Sequence, residues 1–462
     1  EEIYRRTMTK AEHLKKRGFK LVEGWDCQVK MLKEEDYFFN FYMKQRKEHY
    51  KLIKKYGGVN IREAFFGGRT NNIRFWCDTT DYPDHRILYY DFRSLYPSVL
   101  KYKKFPIGHP IVINENFDEL EKYFGYAKCI VLPPEQLYMG VLPYRNGKNK
   151  ILYPLCKTCA DEQKQSTCTH TDEERQLIGS WTTEELKAAI KKGYVIKRMI
   201  EVYHYPQTSS TLFREYVNLW LKRKQESDGY PNWVKTEEDK DQYIENFKEN
   251  EDIELDKEKI VKNPILRFIC KLFLNILWGK LAERPNMVTT KICQTYNDYW
   301  QLATNEDLVI KGEIMVNEDT LLVNYNRVDE EKCKNNKTSY ALAAYVTSWA
   351  RLELLRVIDE IEQVPGRIMY MNTDSVIFAY KDGDPKPNTG DYLGDLADEI
   401  AKDYGENAVC KKFCSLGPKV YAMEIWPENA TEPVVPIKVK GITLTDRVLQ
   451  LVNMDSMLEL AE

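Results

Sequence analysis

The chain has 462 residues, 43% of them hydrophobic and 12% aromatic, and a net charge of -3. This length is enough for two or three domains with a sizeable core, and the composition is typical of a globular protein. A near-neutral charge excludes a generally basic protein, so a polyanionic ligand would need a local basic surface. No segment approaches the ~20 apolar residues of a membrane span. Eleven scattered cysteines favour reduced thiols and an intracellular protein.

The first predicted elements lead to a strand that ends in an acid. Residues 1–60 are predicted to be a helical and linker segment. In "AFFGGRTNNIRFW", Gly67-Gly68 predicts a sharp turn or a close backbone approach. The strand "HRILYYDF" follows and runs into "RSLYPSVL". Asp91 stands at the end of this strand.

The next predicted elements are two helices separated by a charged segment. Helical spacing runs from Phe213 to about Lys224, and residues 226–262 carry thirteen acids against six bases. This composition favours a solvated excursion. The second helix, "NPILRFICKLFLNILWGKL", begins with Asn263 as a plausible N-cap and Pro264 at its first position. A long amphipathic helix, "SYALAAYVTSWARLELLRVIDEI", then leads into the hairpin "GRIMYMNTDSVIFAY".

The second helix carries a polar stripe. At ~100° per residue, one face holds four residues within ~80° of arc: Arg267, Lys271, Asn275 and Trp278. Four apolar residues are predicted to pack on the other side: Leu266, Ile269, Phe273 and Leu277. Two cations, an amide and a large aromatic suit a nucleoside triphosphate, whose phosphates would meet the cations. The alternative interpretation is a solvated cationic face.

Two acids at strand ends form a candidate metal clamp. If their strands lie side by side, Asp91 and Asp374 could share hard cations such as Mg²⁺ with substrate phosphates. Two ions ~3.5–4 Å apart would activate an attacking oxygen and stabilise a leaving one. Asn372, in "YMNTDS", holds the other candidate ligand position. The alternative for Asp91 is a turn or N-cap acid.

The motifs together resemble a known family. "DFRSLYPS", "KLFLNILWGK" and "YMNTDS" occur in the order and rough spacing of motifs A, B and C of family B DNA polymerases. "AFFGGRTN" and the helix after Ser339 make the chain similar to the protein-primed branch. It looks most like the polymerases of Maverick/Polinton-type transposons and adintoviruses. The resemblance extends from about Ile61 to Gly441.

The resemblance implies an α+β right-hand polymerase with an antiparallel-sheet palm and helical-hairpin fingers. It also implies that the chain contains no exonuclease domain and that its thumb is largely absent. The expected segments are an N-terminal segment (1–60), palm with motif A (61–130), an insertion like the first terminal-protein region (131–205), fingers (206–285), an insertion like the second terminal-protein region (286–340), palm with motif C (341–430) and the start of a truncated thumb (431–462).

The resemblance also implies roles for individual residues. Asp91 and Asp374 would be the catalytic metal-binding acids, with the Phe92 carbonyl as a further ligand and Asn372 beside them. Nucleotide binding would involve Lys224, Arg267, Lys271, Asn275, Ser94, Leu95 and Tyr96, the last as a steric gate against ribonucleotides. Template and base-pair contacts would come from Trp278, Gly279, Phe65, Gly67 and Gly68. Primer contacts would come from Thr373, Lys419, Tyr421, Lys438 and Lys440.

The implied cofactors are two Mg²⁺ ions, which Mn²⁺ could replace. The implied partners are primer-template DNA, dNTPs and a terminal priming protein, with no membrane, and a monomer working in the nucleus or at a viral replication site. In this family's D-T-D motif Asn372 replaces the first Asp, which predicts impaired rather than absent polymerisation. Phe65 replaces a Tyr of the family's Y-x-G-G element.

A cysteine-rich loop forms a second candidate metal site. Cys156, Cys159, Cys168 and His170 follow the spacing C-x2-C-x8-C-x-H. Three thiolates and an imidazole suit tetrahedral Zn²⁺, although the C-x-H step is unusual. The alternative is a loop with free thiols.

Other functions remain open at this point. A glycosyltransferase also holds a metal with a D-x-D motif, but it does not account for the cationic helix or for "SLYPS". A reverse transcriptase would have adjacent acids, whereas Thr373 intervenes here. A non-catalytic DNA-binding protein that retains the polymerase fold is the remaining alternative, because of Asn372 and the truncated thumb.

Overall fold

The computed structural model describes residues 2–16, 51–329 and 338–461. The chain separates into two units, Glu1–Gly58 and Val59–Glu462. The first unit contains helix α1, Glu2–Lys16, and helical residues 51–56. Residues 17–50 of the predicted N-terminal segment lie outside the described residues.

The second unit is rich in short antiparallel strands. In chain order these are β1 Thr70–Asn72, β2 Trp76–Asp78, β3 His85–Phe92, β4 Phe105–Ile107, β5 Ile111–Ile113, β6 Gly125–Leu132, β7 Tyr144–Arg145, β8 Ile151–Leu152, β9 Leu177–Thr182, β10 Val195–His204, β11 Gln207–Ser209, β12 Thr289–Cys293, β13 Leu308–Asn317, β14 Thr320–Arg327, β15 Ile368–Asn372, β16 Ser375–Lys381, β17 Leu396–Asp398, β18 Val409–Gly417, β19 Val420–Trp426 and β20 Ile437–Val439.

Helices connect and cover these strands. They are α2 Leu95–Tyr102, α3 Lys157–Glu162, α4 Asp172–Arg175, α5 Thr183–Lys191, α6 Arg214–Glu226, α7 Glu237–Glu251, α8 Pro264–Leu281, α9 Tyr296–Ala303, α10 Tyr340–Ile361, α11 Glu399–Tyr404, α12 Asp446–Leu449 and α13 Met454–Ala461. Among the described residues, none of the helices has the length and apolar character that a membrane span requires.

The central sheet has nine strands in the order β1-β15-β16-β3-β18-β19-β20, with β17 paired to β3 and β2 to β18. Side chains of β3 alternate between two cores because successive residues of a strand point to opposite faces. Leu88 and Tyr90 pack in the core that α10 covers, whereas Ile87 packs with Phe413 in the core on the other side. Burial on both sides fixes the register of β3 and therefore the position of Asp91 at its end.

Two smaller sheets include strands from the regions predicted as insertions, although β5 and most of β6 in the first of them belong to the predicted palm segment, residues 61–130. The order β5-β10-β6-β9 forms a four-stranded sheet, and β12-β14-β13 forms a three-stranded sheet with α9 nearby in the chain. The four-stranded sheet encloses a core around Trp181, which is 1% exposed. The assignment of these regions as terminal-protein insertions stays a prediction.

The helix starts and the hairpin agree with the sequence predictions. Asn263 Oδ1 accepts the N–H of Leu266 at 3.0 Å, and Pro264 occupies the first position of α8. Helix α10 begins after Ser339, whose side chain accepts the N–H of Leu342. Strands β15 and β16 form the predicted hairpin.

The prediction of a solvated excursion at residues 226–262 was wrong. The segment contains α7, whose Tyr243 and Phe247 are buried in the main core. At its end Glu251 forms an ion pair with Lys101 at 3.0 Å, and the two side chains are 1% and 2% exposed. The segment packs because apolar residues one helical turn apart lie among the charges, a pattern that overall composition does not reveal.

We expect Glu251→Ala to lower the free energy of unfolding by about 3–5 kcal/mol, because it leaves the buried Lys101 ammonium unpaired. Glu251 also accepts the Tyr102 hydroxyl at 2.7 Å, and burial lowers the pKa of Lys101. Urea unfolding would measure the change. Glu249→Ala, at an exposed position of the same helix, is the control and should change stability by less than about 0.5 kcal/mol. Equal effects of the two variants would contradict the buried-pair account.

The predicted packing of α8 was also partly wrong. Leu266 and Ile269 are 40% and 39% exposed. The residues that α8 buries are Cys270 and Leu274, while Phe273 stacks on Trp220 of α6 with ring centroids 4.2 Å apart. The helix packs chiefly on one neighbour, α6, so a single narrow stripe is buried.

Candidate active site

Two strand ends bring the predicted acids together. Strands β3 and β16 are antiparallel neighbours, and Asp91 pairs with Ser375, the residue after Asp374. The N–H of Phe92 donates to the carbonyl oxygen of Asp374 at 2.7 Å. Asp91, Phe92 and Asp374 line one cavity of about 750 Å³. The structure thus places the two carboxylates at one cavity, as the sequence predicted.

The electrostatics of these acids favour a bound cation. Burial, together with the negative charges of Asp374 and Glu399, raises the pKa of Asp91 to about 7. Burial also raises the pKa of Asp374. Carboxylates that repel one another in a half-buried site gain when a divalent cation neutralises them, so this donor set fits Mg²⁺ or Mn²⁺.

Glu399 is a site residue that the sequence analysis missed. It is the first residue of α11, lines the cavity and forms an ion pair with Lys402 at 2.7 Å. The strand before it, β17, pairs with β3 so that Ala397 lies opposite Asp91. This pairing is what brings Glu399 to the acids, and no local pattern in the sequence predicts it.

The turn that carries Asp374 is held by the segment before β1. Thr373 has a left-handed backbone, with φ of 61°, a conformation that is unfavourable for a β-branched residue. Its N–H donates to the carbonyl of Arg69 at 2.6 Å. A Cβ on Gly68 would lie 2.6 Å from Thr373 Cγ2. Gly68 is therefore required for a close approach to this turn, whereas a Cβ on Gly67 would have no atom within 4 Å in the part of the chain that the structure describes.

Asn372 lies on the same line of paired residues across the sheet as Asp91, but it is farther from Asp91 than the order of the motifs suggests. The register runs Asp91, Ser375, Asn372, Thr70 across four strands, so Asn372 is two strand spacings, roughly 9–10 Å, from Asp91. Its side-chain oxygen is 3.3 Å from the Thr70 hydroxyl, which donates to it. Asp374 reaches the cavity from the turn, whereas Asn372 is not among the cavity-lining residues.

The polar stripe of α8 faces the same cavity as the acids. Arg267, Lys271 and Asn275 line it, and Lys224 joins them from α6. Burial lowers the pKa of Lys224, and the neighbouring charges of Arg267 and Lys271 lower it further. Arg267 Nε lies 2.6 Å from Asp228 Oδ1. A cluster of three cations with one acid would be stabilised by a polyanion.

The start of α2 forms the floor of the cavity. Ser94, the N-cap, has a left-handed backbone with φ of 59°, and no side chain caps the helix. Ser94, Leu95 and Tyr96 line the cavity, and uncapped N–H groups at a helix start favour anions. Tyr96 stacks on Trp278 with centroids 4.7 Å apart, and burial raises the pKa of its hydroxyl to about 12.

The remaining predicted template residues, Phe65 and Gly279, do not line the cavity. Phe65 makes an edge contact with Tyr340 at 6.3 Å between ring centroids, and its carbonyl accepts from Arg145. A Cβ on Gly279 would meet no atom of the described residues within 4 Å. The structure therefore leaves space at Gly279, and its proposed approach to a base pair stays a prediction.

Four of the five predicted primer-binding residues lie in or next to the β18–β20 strands, and the fifth, Thr373, lies in the β15–β16 turn. Lys419, in the turn between β18 and β19, donates its N–H to the Tyr370 hydroxyl at 2.7 Å. The N–H of Lys440 donates to the Lys419 carbonyl at 3.0 Å. Tyr421 pairs with Lys438 across β19 and β20. The charges of Lys438 and Lys419 lower the pKa of Asp91 and of Asp374 respectively, against the effect of burial.

The four candidate ligands of the cysteine-rich loop lie close together. One ligand atom from each of Cys156, Cys159, Cys168 and His170 lies within 4.8 Å of the others. Among the residues that the structure describes, the cavity acids and this separate Cys/His cluster are thus two sets that could hold a metal.

Comparison with known proteins decides the family. The model of the family described as "DNA polymerase type B, organellar and viral" matches residues 36–364. The chain belongs to this family. As a member, it is similar to a probable DNA polymerase of Podospora anserina, with 25% identity over 395 residues that make up 84% of this chain and 28% of that protein. A probable DNA polymerase of Neurospora intermedia is 22% identical over 376 residues, 78% of this chain and 30% of that protein.

This family B polymerase chain thus spans less than a third of the length of these two relatives. Among solved structures, Phi29 DNA polymerase complexed with primer-template DNA and incoming nucleotide matches with a TM-score of 0.52 and 16% identity, over 89% of this chain and 61% of that chain. Its binary complex with primer-template DNA matches with the same TM-score and 18% identity. The likeness shows the fold, and the predicted α+β polymerase fold is confirmed.

Proposed function

We propose that the chain is the core of a template-directed DNA polymerase that adds dNTPs to a primer 3′ end. One observation carries the proposal: Asp91, Asp374 and the Arg267–Lys271–Asn275 stripe line a single cavity of about 750 Å³. This is within the ~300–1,000 Å³ range of small-ligand sites. Carboxylates on one side and cations on the other match a nucleotide whose triphosphate carries divalent ions.

The reaction would be a nucleotidyl transfer. The primer 3′-hydroxyl would lose its proton to solvent, and its oxygen would attack the α-phosphorus of the dNTP. The bond from that phosphorus to the oxygen that bridges to the β-phosphate would break, which releases pyrophosphate. Asp91 and Asp374 would hold two Mg²⁺ or Mn²⁺ ions, with the Phe92 carbonyl beside them. When bound, these ions would lower the pKa of the attacking hydroxyl and neutralise charge on the leaving group.

The triphosphate would lie between α8 and the start of α2. Lys224, Arg267 and Lys271 would take phosphate oxygens, and Asp228 would release Arg267 when the nucleotide binds. The N–H groups after Ser94 would take a further phosphate. Tyr96, held against Trp278, would lie under the sugar and exclude a 2′-hydroxyl.

Primer and template would flank this site. Lys419, Lys438 and Lys440 would bind primer phosphates, with Tyr421 beside them, and the Phe65–Gly68 segment would contact the template. The likeness to Phi29 polymerase, solved with primer-template DNA, supports this placement. We further propose that the two smaller sheets contact a priming protein, and that a monomer acts in the nucleus or at a viral replication site.

Primer extension in Mg²⁺ or Mn²⁺ tests the proposal. With one dNTP supplied at a time, only the nucleotide complementary to the template base should extend the primer. Duplex binding without extension would favour a non-catalytic DNA-binding protein, and turnover of a sugar nucleotide would favour a glycosyltransferase. Either result would reject the proposed activity.

Asn372→Asp should raise the rate of dNTP incorporation by about two- to twentyfold. A unit charge roughly 9–10 Å from another contributes about 0.4–1.7 kcal/mol for effective dielectric constants of 80 to 20, and the added carboxylate would strengthen metal binding. Single-turnover extension would measure the gain. Asn116→Asp, which adds the same charge at an exposed loop position, is the control. A rate unchanged by Asn372→Asp would refute the view that Asn372 impairs the site.

A further inference from the structure

We infer that Cys156, Cys159, Cys168 and His170 bind a structural Zn²⁺ ion. This ion would stabilise the turn that carries Asp374 through Tyr153 and Arg69. The Sγ atoms of the three cysteines lie 3.5, 3.3 and 3.6 Å from Nδ1 of His170. In a tetrahedral site with Zn–S of ~2.3 Å and Zn–N of ~2.0–2.1 Å, sulfur and nitrogen ligands are about 3.5 Å apart. Three such separations around one imidazole nitrogen match this geometry.

Local hydrogen bonds, with little apolar packing, hold the segment that carries the four ligands. Cys156 is the N-cap of α3, and its Sγ accepts the N–H of Cys159 at 3.4 Å. Helix α4 follows His170, and the Thr158 hydroxyl donates to the carbonyl of Glu174 at 2.8 Å. In this loop, residues 153–176, few side chains are fully buried. A segment with so little core gains order from a metal ion, because ligation replaces apolar packing.

The loop connects to the catalytic turn through Arg69. Asn146 Nδ2 donates to the carbonyl of Ala160 in α3 at 3.2 Å. Tyr153, which directly follows β8, packs its ring against the Arg69 guanidinium, 4.2 Å from the ring centroid. The guanidinium also donates to the carbonyl of Gly140 at 2.8 Å.

Arg69 in turn holds the catalytic hairpin. It is 3% exposed, and its carbonyl accepts the N–H of Thr373 at 2.6 Å. The left-handed backbone at Thr373 persists only when its surroundings fix it. The cation–π contact to Tyr153 is therefore one of the restraints on that turn, and zinc would keep Tyr153 in place. The inference concerns stability and order, so it does not depend on whether the chain polymerises DNA.

Metal analysis of the purified full chain tests the ion itself. We expect one zinc per chain, and Co²⁺ replacement should give the strong visible absorption of a tetrahedral thiolate site. Cys168→Ser changes an exposed ligand and should lower zinc affinity by at least about tenfold. Cys77→Ser, at a half-buried thiol outside the cluster, should keep the zinc. Absence of zinc from the unmodified chain, or equal retention by both variants, would overturn the inference.

Hydrogen exchange tests the connection between the zinc site and the turn that carries Asp374. After chelation of zinc, peptides that contain residues 69–72 and 372–375 should exchange faster, together with residues 144–176. The Cys77→Ser protein treated with the same chelator should respond as the unmodified chain does. Faster exchange confined to residues 144–176 would overturn the proposed connection to the catalytic turn, whatever the result of primer extension.

Discussion

Asp91→Asn should reduce dNTP incorporation by at least about 10³-fold and at the same time raise the melting temperature of the metal-free chain at pH 8. The first effect follows because the carboxylate would hold both divalent ions, and electrostatic groups of this kind contribute several kcal/mol to the transition state. The second follows because the ionised carboxylate is half-buried near Asp374 and Glu399. An amide of the same shape removes that repulsion.

The pH dependence of the second effect has a definite sign. The pKa of Asp91 is raised to about 7 in the folded chain, against about 3.9 in an unfolded chain. Ionisation of Asp91 therefore lowers the stability of the folded chain. This loss of stability is absent below about pH 4 and complete above about pH 7. The stabilisation by Asp91→Asn should appear between these values and level off near pH 8. Thermal unfolding from pH 5 to 8 in a chelating buffer would measure it.

Asp403→Asn is the matched control, because Asp403 is an exposed acid on the same helix as Glu399. It should leave both incorporation and the pH dependence unchanged. Incorporation by Asp91→Asn close to that of the unmodified chain would contradict the catalytic role. A melting temperature that falls at pH 8 would contradict the electrostatic account.

Lys271→Ala should lower kcat/KM for the dNTP by about 10²–10³-fold while the affinity for primer-template duplex stays within about twofold. Lys271 lies on the cavity face of α8 between Arg267 and Asn275, where it would neutralise charge that develops on the triphosphate. Pre-steady-state incorporation at varied dNTP concentration would separate nucleotide binding from chemistry.

Lys280→Ala provides the control on the same helix. Lys280 is exposed, forms an ion pair with Glu283 and does not line the cavity. Its removal should leave kcat/KM nearly unchanged. If both substitutions weaken duplex binding equally and neither alters the dNTP dependence, α8 is a general DNA-binding surface and its stripe does not bind the triphosphate.

The two cavity acids and the cationic stripe could be predicted from the sequence because local patterns specify them. Asp91 ends a strand that is apolar on both faces, and Asp374 stands in a two-residue turn between β-forming runs. The spacing of Arg267, Lys271 and Asn275 needs only the helical period to place them on one face. Motif order then supplied the expectation that strand and helix meet, which the cavity confirms.

The features that the sequence did not reveal depend on contacts between distant segments. Glu399 reaches the site through the pairing of β17 with β3, and Glu251 is buried through its contact with Lys101. Arg69 supports the turn that carries Asp374 through its backbone carbonyl, for which residue type carries no signal. The distance of Asn372 from Asp91 likewise follows from strand order, and motif spacing alone does not indicate it.

A crystal structure of the chain with primer-template DNA, a non-hydrolysable dNTP and Mn²⁺ tests the central claim most directly, because anomalous scattering locates the ions. The account predicts two Mn²⁺ ions about 3.5–4 Å apart, ligated by carboxylate oxygens of Asp91 and Asp374, with the triphosphate between them and Lys271. Ions bound away from both acids, or a triphosphate that does not contact α8, would contradict it.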